Sequence, residues 1–342
     1  MINLAVVGYG YWGPNIVRNV MERPELGMWG LCELDPDRVQ KFSSRYPGVH
    51  TTASFDEVLA DPSVEAVSIA TPPATHYPLA EKALRAGKHV IVEKPLATTA
   101  ADAAALIELA EANDLVLMPG HTFLYSPPVN KVKQQIESGE LGEVYFVTSS
   151  RMNLGIYQRG GVINDLAPHD LSILLYWLNE PLVDVAASAR SVLEPEVPTT
   201  AFLTLTFASG TTANVQISWL APRKVREMII VGSRRMVQYD DAAMDETVKI
   251  YDRGMDLGDP ENFGEHQLTY RSGDMTAPRL EAAEPLGQEL ADFARSIETG
   301  SVPRSHSRLG LEIVQALEAA EKSWRANGRP VAVNPMVERL AA

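Results

Sequence analysis

The sequence predicts a two-part α/β chain: a doubly wound parallel sheet comes first, and an α+β domain on a mostly antiparallel sheet follows. Three observations predict this. Through about the first 120 residues, short β-branched runs alternate with helical patterns. A glycine-rich turn, Gly8-Tyr9-Gly10-Tyr11-Trp12-Gly13, joins the first strand pattern directly to the first helix. Beyond Pro181 the pattern gives way to strands of alternating polarity joined by short turns. A boundary near residue 120 follows, with one domain over 1–120 and a second over 121–342.

In order, Leu4–Val7 reads as a strand and Asn15–Met21 as its helix; Met28–Glu33 is the second strand. Asp35-Pro36 then opens a helix, with Asp as cap and Pro in the first turn. Ala66–Ala70 is a buried strand, Ala80–Ala86 a helix that Gly87 ends, and His89–Val92 a further strand. Ala101–Ala112 is an alanine-rich helix before a strand at Leu115–Met118. Such alternation builds right-handed βαβ units. In the second part, Val144–Ser150 reads as a strand and Leu171–Leu178 as a buried helix. Ala201–Phe207 and Ala213–Trp219 form a hairpin around Ser209-Gly210. One face is polar (Thr204, Thr206, Asn214, Gln216, Ser218); the other is apolar (Leu203, Leu205, Phe207, Val215, Ile217, Trp219). Val225–Val231 and Met236–Tyr239 extend the sheet. Asp252–Pro285, rich in Gly, Asp and Pro, reads as long loops, and helices return at Leu286–Glu298 and Leu309–Asn327.

Composition narrows the function classes. Hydrophobic residues make up 45% and charged residues 22% of the 342, an ordinary globular balance. The formal net charge of −14 repels polyanions on average, which argues against nucleic-acid partners. Cys32 is the lone cysteine and lies in an apolar stretch, so it reads as core filler. No Cys/His cluster has metal-ligand spacing, and no metal is expected. The chain enters a strand at Ile2 without a basic leader, and no apolar run approaches membrane-span length. The expectation is a cytoplasmic protein with no membrane partner.

The glycine turn carries the first chemistry. Gly8 permits a tight turn, Gly10 lets the backbone approach a pyrophosphate, and Gly13 lets helix and strand pack closely, with Tyr11 and Trp12 in the same loop. The helix start supplies amide donors for phosphates. Glu33 stands at the end of the second strand, twenty residues past Gly13 (33 − 13). A carboxylate there accepts from ribose hydroxyls and repels a 2′-phosphate, so NAD is favoured over NADP. Ala70-Thr71-Pro72-Pro73-Ala74-Thr75-His76 ends a buried strand, where ligands sit in open α/β sheets; Thr71, Pro72 and His76 are cofactor candidates. Glu93-Lys94-Pro95 ends the next strand and places Lys94 at the cofactor end. In Asn164-Asp165-Leu166-Ala167-Pro168-His169-Asp170, Asp165 and His169 share a helix face. Pro168 suits a first turn, so His169 is expected near a helix N-terminus, where the dipole favours neutral imidazole, a competent base. Taken singly, the TPP turn, Lys94 and His169 are each as well explained by structure alone.

Together these motifs resemble the Gfo/Idh/MocA oxidoreductases: GYGYWG at 8–13, ATPPATH at 70–76, EKP at 93–95 and DLAPHD at 165–170. The resemblance covers essentially the whole chain. It implies an NAD-binding Rossmann domain over 1–120, and a substrate-binding and oligomerisation domain with a large open sheet over 121–342. It also implies a homodimer or homotetramer formed through that sheet. By motif, Lys94 would orient the reacting hydroxyl, His169 would act as acid/base and Asp165 would assist. The lead-in Gly160-Gly161-Val162-Ile163-Asn164 departs from the family's glycine-rich pattern while keeping Gly161 four residues before Asp165. The DLAPHD variant with Met118-Pro119-Gly120-His121-Thr122-Phe123 resembles the branch that oxidises a sugar 3-hydroxyl to a ketone for transamination, on nucleotide sugars or in aminoglycoside antibiotic pathways. His121, Tyr125, Arg151, Asn153, Tyr157 and Arg159 are the candidate substrate-binding residues.

Alternatives stay open at this stage. The scaffold also suits a keto-sugar reductase, since hydride transfer is reversible. A non-catalytic NAD-sensing protein needs neither Lys94 nor His169, and a metal-dependent hydrolase lacks a ligand cluster. Lys94 and His169 can exchange roles, because a desolvated lysine can serve as base.

Overall fold

The computed structural model describes residues 1–155, 157–257 and 268–333, with the backbone alone for 256, 257, 268 and 269. Two compact units divide the chain: Met1–Tyr125 with Ala283–Gln315, and Ser126–Ala282 with Ala316–Ala342. The second part of the chain is therefore not one continuous domain from residue 121, because 283–315 folds with the first unit.

The first unit begins β1 (Ile2–Val7), α1 (Gly13–Glu22), β2 (Leu26–Cys32), α2 (Pro36–Arg45), β3 (His50–Thr52) and α3 (Phe55–Ala60). It continues β4 (Ala66–Ile69), α4 (His76–Arg85), β5 (His89–Glu93), α5 (Ala100–Ala112) and β6 (Leu117–Gly120). The six strands run parallel in the order β3-β2-β1-β4-β5-β6. The central strands β1, β4 and β5 are buried on both faces: Leu4, Val6, Val67, Ile69, Val90 and Val92 are fully covered. The order reverses between β1 and β4, and a ligand crevice belongs at the strand ends beside that reversal. Asp35 caps α2 as expected, accepting from the N–H groups of Asp37 and Arg38.

The second unit holds α6 (Pro127–Glu137), β7 (Val144–Met152), α7 (Gly161–Leu178), β8 (Leu182–Arg190), β9 (Thr200–Phe207) and β10 (Thr212–Ser218). After these come β11 (Val225–Gly232), β12 (Met236–Asp240), β13 (Val248–Leu257) and β14 (Leu268–Thr276). With β15 (Val331–Ala332) they form a nine-stranded sheet, ordered β14-β13-β12-β11-β7-β10-β9-β8-β15. All its described pairings are antiparallel except β7 with β10. The hairpin has the expected register, Leu203 opposite Val215 and Leu205 opposite Ala213, and Gly210 turns it at φ +90°. Its apolar face is buried under α7. Ser218 is a correction to the polar face: it is buried at the strand end, where its hydroxyl accepts from the Leu220 N–H.

Two further corrections concern the second unit. Part of the stretch read as loops over 252–285 is strand, the end of β13 and all of β14. Met255, Tyr270 and Met275 lie exposed there among charged neighbours, so no inside–outside alternation marks these strands. Residues 258–267 of that stretch lie outside the described residues. Helix α7 starts ten residues earlier than the expected Leu171 (171 − 161) and runs through Pro168. Burial of Val162, Ile163, Ala167 and Pro168 outweighs the backbone hydrogen bond that the proline lacks.

The chain then returns as α8 (Pro285–Thr299) and α9 (Ser307–Arg325). In the first unit, Glu284 ahead of α8 receives Arg18 Nη1 at 2.9 Å and Asn19 Nδ2 at 3.0 Å, both from α1. Leu290 and Phe293 of α8 are fully buried.

Candidate active site

The glycine turn is built as its chemistry requires. At Gly8 (φ +98°) a side-chain carbon would lie 2.6 Å from the Ala70 carbonyl oxygen, and at Gly13 one would lie 2.4 Å from the Gly8 carbonyl oxygen. At Gly10 the nearest atom to such a carbon is Arg38 Nη1, 3.6 Å away, so the space above its backbone is open. Helix α1 has no side-chain cap at Trp12, leaving first-turn amides for a phosphate. Tyr11 projects into solvent at the tip.

Glu33, just past β2, is 8% exposed. Its Oε2 accepts from the Tyr9 N–H at 2.6 Å, and its Oε1 accepts from the N–H groups of Leu34 (2.8 Å) and Asp35 (3.0 Å). A carboxylate offers about four acceptor sites, so roughly one remains for a ribose hydroxyl. Arg38, which the sequence reading passed over, stands 3.6 Å from Glu33 Oε2 and 3.3 Å from Asp35 Oδ2. The spacing of Glu33 and Arg38 in the first turn of α2 is the signal that could have found it.

After β4, Thr71 receives the Thr75 hydroxyl at 2.7 Å, and Pro72 is exposed. His76 is a correction. It is buried, with Nδ1 2.7 Å from the Pro95 carbonyl and Nε2 2.8 Å from the Thr71 carbonyl. The ring lies between the two strand-end loops with both nitrogens turned toward protein carbonyls, and as a neutral imidazole it donates to one of them at a time. Burial pushes its pKa down.

At the ends of β5 and β6, Glu93 pairs in register with Gly120, which puts Lys94 and His121 side by side one step further on. A side-chain carbon on Gly120 would lie 3.3 Å from Glu93 Oε1, so the carboxyl folds over the strand end. Desolvation pushes the Glu93 carboxyl up to about 7, against the pull of Lys94 and the Trp12 indole. His121 is 2% exposed, and neither ring nitrogen has a hydrogen-bond partner. Burial, then Lys94 and His306, push it down to about 3, so its ring is neutral. Glu289 of α8, 1% exposed, accepts the Thr122 hydroxyl at 2.8 Å through Oε2, while Oε1 has no partner. Burial and nearby Glu93 hold its carboxyl well above the usual range. No sequence signal near the motifs announces Glu289; it arrives from α8, far along the chain.

Tyr125 is a second correction. It is buried, its hydroxyl donating to Asp292 Oδ2 at 2.7 Å and accepting from the Ser305 N–H at 3.1 Å. Its hydroxyl thereby ties the 122–125 turn to α8 and to Ser305.

In the second unit, His169 is the ninth residue of α7 (169 − 160), more than two turns inside it. The helix-terminus argument for a neutral His169 therefore does not hold. Asp165 Oδ2 accepts the Trp219 indole N–H at 3.0 Å. Arg151 is the third correction. It is 5% exposed and gives Nε to Asp170 Oδ2 at 2.8 Å, so it points into the core of this unit. Asn153 is half-buried, Tyr157 meets the Trp219 ring edge-on with centroids 5.6 Å apart, and Arg159 is exposed. Among the described residues, no group of three or more His, Cys, Asp or Glu could hold a metal ion. No described helix is long and apolar enough to cross a membrane.

A parallel sheet ordered 3-2-1-4-5-6, a glycine turn with open space over its middle residue, and an acid at the second strand define a dinucleotide-binding oxidoreductase class. The residues fit NAD: an uncapped helix start for the phosphates, Glu33 for the ribose, and orphaned polar atoms on His121 and Glu289 at the nicotinamide end. Residues 2–121 match the "Oxidoreductase family, NAD-binding Rossmann fold", and residues 129–238 match the "GFO/IDH/MocA C-terminal domain". The chain belongs to the Gfo/Idh/MocA oxidoreductase family.

Its relatives include a UDP-N-acetylglucosamine 3-dehydrogenase from Acidithiobacillus ferrooxidans, 34% identical over 208 residues (59% of this chain, 62% of that protein). Another is a dTDP-3,4-didehydro-2,6-dideoxy-alpha-D-glucose 3-reductase from Saccharopolyspora spinosa, 30% identical over 198 residues (54% and 58%). The chain thus spans about three fifths of each of these two proteins. A solved structure of GenD2 from gentamicin A biosynthesis, in complex with NAD, superposes with a TM-score of 0.82 at 25% identity, covering 97% of this chain and 96% of that one. This chain is an NAD-dependent oxidoreductase of the sugar-dehydrogenase type, acting on a CH–OH group.

Proposed function

We propose that the chain oxidises a ring carbinol, the 3-hydroxyl of a nucleotide sugar or an aminoglycoside-type amino sugar, to a ketone that a transamination step then consumes. The observation that carries this reading is the pairing of Lys94 with a buried, neutral His121 at the strand ends, in a chain whose relatives include sugar 3-dehydrogenases and 3-reductases. Held by the glycine turn and Glu33, NAD would supply the hydride acceptor for the carbinol carbon. Lys94 donates a hydrogen bond to the carbinol oxygen and stabilises the charge that builds there. His169 takes the hydroxyl proton, and Asp165 orients its imidazole while itself held by Trp219. With the hydride gone to the nicotinamide and the proton to the imidazole, the C–O bond becomes a carbonyl. The opposite direction, keto-sugar reduction, is the second reading, favoured by the relative named a 3-reductase.

The test is to supply NAD with a panel of nucleotide sugars and aminoglycosides and follow reduced nicotinamide, in the native chain, Lys94→Ala and His169→Ala. General acid–base catalysis contributes about 100- to 10,000-fold, and turnover should fall by that order in each variant while NAD affinity changes little. Near-native turnover in either variant removes that residue from the mechanism.

We propose further that the outward face of the nine-stranded sheet joins copies of the chain into a dimer or tetramer. Phe146, Val231, Met236, Tyr251 and Met275 align across five adjacent strands of that face, and Phe146 is 42% exposed.

A further inference from the structure

Helix α7 has a weak point beside His169. Pro168 has no N–H, so the Asn164 carbonyl loses its partner in the helix, and the turn before His169 lacks one backbone tie. Two side-chain ties flank that gap. On the N-terminal side, Asp165 accepts the Trp219 indole N–H at 3.0 Å. On the C-terminal side, Asp170 accepts from two residues of β7: the Ser149 hydroxyl to Oδ1 at 2.9 Å and Arg151 Nε to Oδ2 at 2.8 Å.

Both ties come from the one parallel pairing among the described strands of this sheet. In β7 and β10, Ile217 lies opposite Arg151, so the two strands deliver Arg151 and Trp219 to the same stretch of α7 from the same strand ends. An antiparallel neighbour would carry one of them to the far edge.

The Arg151–Asp170 pair is 6% and 1% exposed. A buried ion pair is a poor source of net stability, because two desolvated charges offset most of their attraction. It does restrict geometry, since a carboxylate bonded on both oxygens cannot rotate or slide. Behind Arg151 stand Tyr239 on β12 and Asp241 just after it; Asp241 also holds Arg226 of β11 at 3.0 Å.

We infer that Arg151 is a positioning residue: through Asp170 it fixes the proline-weakened turn of α7 and so sets where the His169 imidazole stands. Its part in turnover rests on the reading of His169 as the base; its part in placing the imidazole does not. The consequence is specific. Arg151 acts from inside the sheet, and because its removal also leaves the Asp170 charge buried without its partner, His169 is read only in variants shown to be folded.

The experiment uses the full chain with Arg151→Met, Arg151→Lys, Asp170→Asn and the milder Ser149→Ala. Val248→Ala, fully buried on β13 in the same unit, is the control for lost stability. Nitrogen-labelled histidine NMR follows the His169 imidazole across pH, assigned with His169→Asn, and turnover is measured alongside. Arg151→Met and Asp170→Asn should move the His169 titration midpoint by about 0.5 pH or more and lower turnover roughly 100-fold, as expected for a reacting group misplaced by about 1 Å. Arg151→Lys should recover part of both, and Val248→Ala should leave the midpoint in place. If Arg151→Met will not fold, the Ser149→Ala and Arg151→Lys midpoints decide. An unmoved His169 midpoint in the folded variants overturns the inference. A moved midpoint with native turnover supports the positioning and instead overturns the assignment of His169 as base.

Discussion

Replacing Glu33 by Gln tests how this chain chooses its cofactor. The structure leaves roughly one acceptor site on the carboxylate for the ribose, because three backbone N–H groups take the others. One charge-assisted hydrogen bond is worth about 1.5–3 kcal/mol, so NAD should bind roughly tenfold to a hundredfold more weakly. NADP should move the other way. The substitution removes the negative charge that repels a 2′-phosphate and takes from Arg38 one of its two carboxylate neighbours, Glu33 at 3.6 Å, while Asp35 stays at 3.3 Å. Arg38 is half exposed, so solvent screens most of its field, and a gain of about tenfold is a fair expectation. The preference for NAD should then narrow by roughly a hundredfold or more. The assay is isothermal titration of both dinucleotides, with folding checked by circular dichroism. An amide also presents an NH2 group to backbone donors, and about 1–3 kcal/mol of stability should be lost. In Glu33→Gln/Arg38→Ala the NADP gain should vanish. Native protein that binds NADP more tightly than NAD, or a Glu33→Gln variant with unchanged affinity for both, would refute the reasoning.

Other perturbations separate the remaining claims. Gly13→Ala places a carbon 2.4 Å from the Gly8 carbonyl oxygen; we expect lost NAD binding in titration and about 1–3 kcal/mol of stability lost to thermal melting. Phe146→Asp puts a charge in the centre of the outward sheet face, and light scattering at micromolar concentration should show a smaller species than the native chain; a native chain that is already monomeric rejects the interface. Glu93 has a folded pKa of about 7, above its ordinary value of 4.5, so its contribution is fully present below pH 4.5 and is lost as pH rises through 7. Denaturant titrations of Glu93→Gln between pH 4.5 and 8 should lose less stability than the native chain, by at most roughly 3 kcal/mol. His121 works in the opposite sense. Its pKa is depressed to about 3, so the stability it supports is lost as pH falls from 6.5 toward 3, and His121→Gln should flatten that acid limb.

The first unit was legible because its determinants are local. Gly8, Gly13, Asp35 and Glu33 act within a few residues of where they stand, and a parallel buried sheet declares itself in runs such as Ala66–Ile69. Sequence spacing failed where a residue's duty is set from far along the chain. Tyr125 reads as an exposed pocket residue until Asp292 and Ser305 claim its hydroxyl. Arg151 reads as a substrate ligand because nothing nearby reveals that β7 turns it inward onto Asp170. His169 was placed near a helix start because proline usually marks one; here the buried residues ahead of it carry the helix on. The β13–β14 pair was missed for a different reason: edge strands need not bury either face, so they need not alternate.

The titratable residues at the ends of β5 and β6 share one physical logic. The chain carries a net charge of −14, yet around Lys94 the ionisable neighbours are held largely uncharged near neutrality. His121 is neutral because its pKa is about 3, Glu289 is neutral because burial holds its proton, and Glu93 titrates near 7. Unit charges 4 Å apart interact by about 1 kcal/mol in bulk water and about 4 kcal/mol at an effective dielectric of 20. A site with little competing charge and buried neighbours such as His121 and Glu289 sits nearer the second figure. The same burial that makes these side chains costly to ionise therefore strengthens the field of the Lys94 ammonium on an oxygen acquiring charge. On this view Glu289 serves the chemistry by being a carboxyl that stays protonated: it holds Thr122 in place without setting an anion against the lysine.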